Sequence, residues 1–461
     1  MEAWEKMASG VPVSVGQEVE ICIDNINHQG EGVGRYRGFA LFVPYTVPGE
    51  KILARVIQVK KNYARGELVE VLEKRRERVL PRCHNFGRCG GCHLQHIDYP
   101  SQLKIKRELV QEALRRIGGL QDVLVHPVIG MKEPWYYRNR VQLHVGERNG
   151  ELVIGFYAPG TRRLVEAERC LLFPPELAPV IERMKQLFQH CGIKAYRHGK
   201  GILRHLVLKK SRSTGEVMLV VVTYTNSFPG GEMIAEKLMA EFPEVVSVLQ
   251  NVNRSRSPLV LGPRFRLIKG KETIREKIGP FQFLISAPSF FQVNPEQTEI
   301  LYHKVVEYIE PLKPETVVDV YCGTGTIAIF LSQTARKIIG IETVAAAVED
   351  ARVNAALNRV HNCEFRVGTA EEVIPELERE QLELQAVVLD PPRRGCDRRV
   401  LGAVARLNPR RIIYVSCDPA TLARDLKILQ ELGYHARQVQ PVDMFPHTYH
   451  IETVAQIDRL K

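Results

Sequence analysis

No stretch of the sequence holds the roughly 18 consecutive apolar residues that a membrane-spanning helix needs, and the first residues lack the charged, apolar and small-residue order of a secretory leader. Both absences predict a cytoplasmic chain with no membrane partner. Internal repeats and low-complexity tracts are missing too, which argues against a solenoid or a linker-rich scaffold. So is G-x-G-x-x-G, and without it a pyrophosphate cradle is disfavoured. What is present is 461 residues of 44% hydrophobic content, enough for two or three cores. A net charge of +11 suits an anionic polymer, although many soluble proteins are merely basic. Ten cysteines in a chain of this type are metal or catalytic ligands before they are disulfides. A monomer is expected.

The pattern divides the chain. Met1 to Gly10 carry no period and are expected to be a tail. Residues 11–72 alternate in short strands at Val19–Ile23, Phe39–Val43, Ile52–Val59 and Glu67–Leu72, with Gly30, Gly32 and Gly34 expected to punctuate a turn; this predicts a small closed barrel of the OB type. Lys60, Lys61 and Arg65 crowd one hairpin, either to meet nucleic acid or as a solvated edge. The charged run Glu73 to Arg78 opens a central α+β segment over 73–287. It holds a cysteine-rich loop, a helix from Gln102 to Ile117 stopped by Gly118-Gly119, and strands at Val141–Val145, Leu152–Tyr157, Leu203–Lys209 and Val217–Thr223. From residue 288 to 461 helix and strand alternate. Asn294, Pro295 and Gln297 form a capping-box signature, and strands at Val317–Val320, Lys337–Ile341, Glu364–Val367, Ala386–Leu389 and Arg411–Val415 predict a doubly wound parallel sheet.

Three of those strands end in chemistry, and in open α/β sheets ligands bind outside the carboxyl ends. Asp319 to Thr326 turns through Gly323 and Gly325, which lets backbone approach a ligand. Glu342 ends the next strand, nineteen residues past Gly323 and well placed for a ribose. An adenosine ligand without a pyrophosphate, such as S-adenosylmethionine, fits this pair. Asp390-Pro391-Pro392 has the form used to bind a base's exocyclic amine, but Arg393 follows in place of a stacking aromatic, so an amine target is disfavoured. The third strand ends at Cys417. Uracil C5 is too weak a nucleophile to take a methyl group from a sulfonium directly; a thiolate added across C6 gives C5 carbanion character, and a base then removes the C5 proton. Cys417 is therefore expected where dipoles or cations lower its pKa. Glu452 is the candidate base, with His447 and His450 as rivals.

Cys83, Cys89 and Cys92 form C-x5-C-x2-C, with Cys170 seventy-seven intervening residues downstream. Three clustered thiols and one remote partner suit an iron–sulfur cluster; zinc is the alternative. Cys22, Cys191, Cys322, Cys363 and Cys396 are expected to be packed thiols.

Phe291 to Asn294, Asp319 to Thr326, Asp390 to Pro392, Ser416 to Pro419, Met444 to Thr448 and Glu452-Thr453 together resemble the RNA 5-methyluridine methyltransferases. The barrel resembles the TRAM domain of the 23S ribosomal RNA branch. The resemblance implies a Rossmann-like S-adenosylmethionine-dependent methyltransferase domain behind the barrel and the central domain, acting on 23S rRNA. It implies Cys417 as nucleophile and Glu452 as base. Methyl-donor contacts would come from Gln292, Tyr321, Glu342 and Asp390, with Thr326 and Thr369, beside the Gly323 turn. It also favours a [4Fe-4S] cluster and makes Cys170 its fourth ligand. Rival readings are a radical enzyme, which would resemble C-x3-C-x2-C in a barrel, a 5-methylcytosine enzyme using Cys396 as a second thiol, and a non-catalytic RNA-binding factor. For RNA, Phe290 or Phe291 would stack on an extruded uridine, and Arg138, Arg140 and Arg204 would hold phosphates.

Overall fold

The computed structural model describes residues 11–255, 257, 259–380 and 382–460. The tail expected at Met1–Gly10 lies outside them. Among the described residues no helix is long and apolar enough to cross a membrane.

The first unit is a closed five-stranded barrel of Glu18–Ile26, Glu31–Tyr36, Phe39–Pro44, Tyr63–Glu73 and Lys51–Val59, in that order around the wall. Alternate residues Val19, Ile21 and Ile23 point inward and meet Leu41, Val43, Ile52 and Ala54. One expectation fails here. Gly30 does turn the chain, at φ 77°, but Gly32 and Gly34 lie inside a strand. A Cβ on Gly32 would strike the Thr46 hydroxyl, and one on Gly34 the Cys22 carbonyl. These glycines mark close backbone approach in a tight barrel rather than a turn.

The middle of the chain forms a seven-stranded sheet in the order Arg264–Gly270, Val245–Val252, Val217–Thr223, Leu203–Lys210, Arg140–Arg148, Glu151–Tyr157 and Leu164–Glu166. Helices Leu177–His190 and Gly231–Glu241 cover one face, packing through Val180, Met184, Leu187 and Leu238. On the other face Met218, Val220 and Val222 join a core that runs through Phe283 and Leu301 to Val317 and Ile338. The central sheet and the C-terminal unit therefore share one apolar interior.

The C-terminal sheet has eight strands, ordered Cys363–Val367, Lys337–Glu342, Thr316–Val320, Leu384–Leu389, Arg411–Ser416, Glu452–Arg459, Tyr434–Val442 and Leu124–Val125. The first five are parallel and read as expected from their continuous apolar runs. Glu452–Arg459 then inserts antiparallel to both of its neighbours. Leu124–Val125, from the expected central segment, adds an edge strand parallel to Tyr434–Val442. Ahead of it, helix Tyr99–Ala113 is capped by Asp98, whose carboxylate accepts from the Ser101 amide at 2.9 Å. It runs on as a wider π turn over Leu114–Gly118 and ends at Gly119, φ 69°. At Asn294 the cap forms through the Gln297 amide, 3.4 Å away. The reciprocal half of the expected capping box does not: the Gln297 side chain is buried and bonds to nothing among the described residues.

The helix is fastened to the C-terminal unit by a buried charge pair. Lys106 Nζ donates to Asp443 Oδ1 at 2.5 Å, and both side chains are fully buried. Tyr99 donates to the other carboxylate oxygen at 2.8 Å. Removing one member of such a pair strands the other charge, which typically costs about 3–5 kcal/mol. Lys106→Met should therefore lower unfolding free energy by roughly that amount, measured by urea denaturation. A loss below about 1 kcal/mol would mean the pair behaves as a solvated one.

Candidate active site

Antiparallel pairing sets the centre of the site. Ser416 lies opposite Thr453 in the register of the two strands, and the Thr453 hydroxyl donates to the Ser416 carbonyl at 3.1 Å. Cys417 follows Ser416 out of its strand and Glu452 precedes Thr453, so the two come to the same sheet edge, where the Glu452 carboxyl is a charged neighbour of the Cys417 thiol. Beyond Cys417 the chain turns into helix Pro419–Glu431. Asp418 caps it, accepting from the Ala420 and Thr421 amides at 2.9 and 3.1 Å.

Electrostatics correct one expectation. The half-buried Cys417 thiol is pushed up to about 12, by burial first and then by the Glu452, Asp390 and Asp418 carboxyls. Arg393 is the cation that opposes this, and it is outweighed. The residue used above only as a missing aromatic is thus the positive charge the thiol needs. Burial, with Asp390 beside it, also raises Glu452 well above the usual carboxylate range, against Arg393. Asp390 itself is pushed up to about 7 by burial. Beneath them Asp319 is fully buried and is raised well above its ordinary value by burial and by Asp390, against a backbone hydrogen bond from Ala328. Desolvation dominates throughout, so these carboxyls hold protons tightly.

That separates the three candidate bases. His447 and His450 are each pushed down to about 3, chiefly by burial. An imidazole so weakly basic is poorly suited to take a proton at neutral pH. Glu452 has the opposite shift.

The neighbouring crevice is built from the first two strand ends. Tyr321 and Gly323 adopt φ of 68° and 54°. The Gly323 amide donates to Glu342 Oε2 at 3.2 Å, while Glu342 Oε1 accepts from the Val344 amide at 2.9 Å, so the carboxylate ties both loops together. Gly325 is required twice over, by φ 75° and because a Cβ would press on Ala351 and Phe365. The Thr326 hydroxyl is hydrogen-bonded to Tyr302 at 2.9 Å. Tyr302 has the Asp390, Asp319 and Glu452 carboxyls among its charged neighbours; nothing in its helical spacing signalled this. Gln292 is buried in the loop before Asn294, its carbonyl taking the Asn139 side-chain amide at 3.2 Å. Thr369 is otherwise engaged. Its hydroxyl donates to Glu372 at 2.9 Å within a complete capping box on helix Ala370–Arg379.

Cys83, Cys89, Cys92 and Cys170 line one cavity, together with Arg138, Arg393 and Phe445. Burial raises the Cys92 thiol and lifts Cys170 to about 11, with the other thiols of the set adding to the rise. Among the described residues no group of three or more His, Cys, Asp or Glu side chains is disposed to hold a metal ion. The ten cysteines are all unpaired. Cys396 is buried against Tyr321 and Tyr414, its amide bonded to Asp425 at 2.8 Å. Of the RNA candidates, Phe290 is 63% exposed whereas Phe291 packs on Phe283 in the core. Arg204 donates to the Asn253 and Ser255 carbonyls at 2.6 and 2.8 Å.

A doubly wound sheet with a ligand crevice at its carboxyl edge, joined to a small barrel, defines an α/β methyltransferase with an appended OB-like domain. The family model described as tRNA (uracil-5-)-methyltransferase matches residues 99–459, and that of the TRAM domain matches residues 12–69. The chain belongs to this family of S-adenosylmethionine-dependent RNA uracil-C5 methyltransferases. An uncharacterized RNA methyltransferase of Bacillus cereus is 45% identical over 452 residues, 98% of each chain. One of Clostridium acetobutylicum is 43% identical over 98% of this chain and 100% of its own. Among solved structures, the Pyrococcus abyssi tRNA (uracil-54, C5)-methyltransferase in complex with S-adenosyl-L-homocysteine superposes with a TM-score of 0.76. It is 32% identical, over 95% of this chain and 99% of its own.

With its thiol at about 12, Cys417 should be alkylated by iodoacetamide ever faster up to pH 10 and beyond, followed by mass spectrometry of its peptide. Arg393→Gln should slow alkylation at every pH in that range, since the one opposing cation is gone. A rate that levels off below pH 8 in the unaltered protein would contradict the charge balance described.

Proposed function

We propose that this chain methylates C5 of a uridine in 23S rRNA through a covalent bond between Cys417 and C6, with Glu452 removing the C5 proton. The observation that carries this reading is the meeting of Cys417 and Glu452 at one sheet edge, with Asp390 beside them. S-adenosylmethionine supplies an electrophilic methyl group on a sulfonium. Glu342, at the end of its strand, would take the ribose, Gly323 would let the ligand approach, and Gln292, Tyr321 and Asp390 would line its path, with Thr326 close by. Thr369 is the weakest member of the set, its hydroxyl being held by Glu372. A carboxyl kept protonated by burial fits the first half of the reaction as a proton donor. Cys417 gives up its proton to solvent as its sulfur bonds to C6, the C5=C6 pair moves toward C5 and O4, and protonated neighbours such as Asp390 are suited to meet the charge on O4. In the second half the C5 proton passes to the Glu452 carboxylate, the C–H pair restores C5=C6, and the C6–S bond breaks with its pair returning to sulfur. A base raised by burial is suited to that step.

Support for a ribosomal target is the union of the barrel with the four-cysteine set. The second reading is a tRNA target, favoured by the name of the Pyrococcus abyssi relative. In the cavity that they line, Cys83, Cys89, Cys92 and Cys170 would hold a [4Fe-4S] cluster.

Incubation with labelled S-adenosylmethionine and either 23S or tRNA transcript should label the 23S RNA, and digestion with mass spectrometry should find 5-methyluridine. Cys417→Ala should reduce the label at least 10³-fold, since the covalent step is removed. Label in tRNA alone would replace the ribosomal target. Label that survives Cys417→Ala would end the covalent mechanism. Anaerobically purified protein should contain about four irons and four acid-labile sulfides per chain, as a cubane requires. Stoichiometric zinc would favour the alternative.

A further inference from the structure

Four successive carbonyls ahead of Glu452 are each held by a donor from elsewhere in the chain. Met444 O accepts from the Asn294 side chain at 3.1 Å, Phe445 O from Lys106 at 3.0 Å, and Pro446 O from the Tyr137 hydroxyl at 3.1 Å. His447 O accepts two amides, His93 at 2.9 Å and Leu94 at 3.0 Å. His93 directly follows Cys92. The other side of His447 is held as well: its amide donates to Gln102 at 3.2 Å, and its ring stacks on Trp135 at 3.7 Å, 24° from parallel. Arg82, the residue before Cys83, lies over that indole at 4.7 Å. His447 sits at φ 66°, a conformation that side chains with a Cβ rarely adopt.

Fixing backbone costs about 1–2 kcal/mol per residue, and loops at a surface usually stay unfixed. A run clamped at each carbonyl, five residues before the candidate base, is built for placement. We infer that His447 is a positioning residue for Glu452, and that the cysteine loop sets its position through the His93 and Leu94 amides. The inference rests on the reading of Cys417 and Glu452 given above. It gives the cysteine loop a task in the reaction that needs no electron: it braces the base that ends the catalytic cycle.

The consequence is specific to one step. Addition of Cys417 to C6 and transfer of the methyl group do not use Glu452. Loss of the C5 proton does, and only that loss lets the C6–S bond break. A displaced Glu452 therefore leaves the methylated uridine bonded to Cys417, and the protein–RNA adduct accumulates. A general loss of fold would instead remove RNA binding, adduct and product together.

The test is a denaturing gel of the full chain with uridine-containing RNA and S-adenosylmethionine, alongside steady-state kinetics. Glu452→Gln is the reference and should accumulate adduct. His93→Pro deletes one of the two amides and keeps all four cysteines, and His447→Val penalises the positive φ. Trp135→Leu removes the stack should either of those fail to fold. Each should accumulate adduct and lower kcat at least tenfold, with KM for RNA within about twofold of the unaltered protein. His447→Asn, which tolerates positive φ, should recover most of the turnover that His447→Val loses. Adduct with Glu452→Gln but none with the other variants, or a parallel loss of RNA binding and adduct in them, would overturn the inference. No adduct with Glu452→Gln would overturn the reading on which it rests.

Discussion

The antiparallel insertion of Glu452–Arg459 beside Arg411–Ser416 is the constraint on which the site depends. A parallel sheet delivers every carboxyl end to the same edge, so Asp319, Asp390 and Cys417 arrive together at no further cost in topology. A strand running the other way brings its amino end to that edge. Glu452 is the first residue of such a strand, and this reversal is what allows a group far along the chain to reach the edge that holds Cys417. A slip of one residue would turn Glu452 to the opposite face. The buried side chains of Val454, Ala455 and Ile457 hold the register, because a slip would also misplace them.

Around that pairing the protein has gathered acids with little to neutralise them. Asp319, Asp390 and Glu452 are each raised by desolvation, and Arg393 opposes the rise at Glu452. Apolar packing below the sheet edge supplies the free energy that keeps them there, since a solvated arrangement would ionise all three. Such strain is characteristic of sites tuned for proton transfer. It also opposes ionisation of the Cys417 thiol in the protein alone. Its ionisation is opposed by the same groups that its reaction would use.

Much of this was legible. Strand runs with continuous Val and Ile gave the parallel sheet, because burial on both faces leaves no alternation to confuse with a helix. Glycine at 323 and 325 with Glu342 gave the crevice, since those loops are local. The reversed strand and the edge strand Leu124–Val125 were not legible; their partners are distant, and two residues carry no period. Gly32 and Gly34 misled for a related reason, as a glycine needed for close approach looks like one needed for a turn. Arg393 was noticed for what it is not. Tyr302, Lys106 and Asp443 gave no local signal, because a buried charge or hydroxyl is defined by partners on other elements, 24 residues away for Tyr302 and 337 for the Lys106–Asp443 pair.

That separation has a consequence in biosynthesis. Lys106 and Asp443 are 337 residues apart in the chain. At the usual rate of about 5–20 residues per second, roughly 20 to 70 s pass between the synthesis of one and the other. A lysine cannot enter an apolar interior alone, so helix Tyr99–Ala113 must wait in water until Asp443 exists. The barrel can close long before; the sheet edge that holds Cys417 and Glu452 cannot. Loss of solvent from this one ammonium group thus serves as a clock, and the run that carries Glu452 is among the latest parts of the molecule to become rigid.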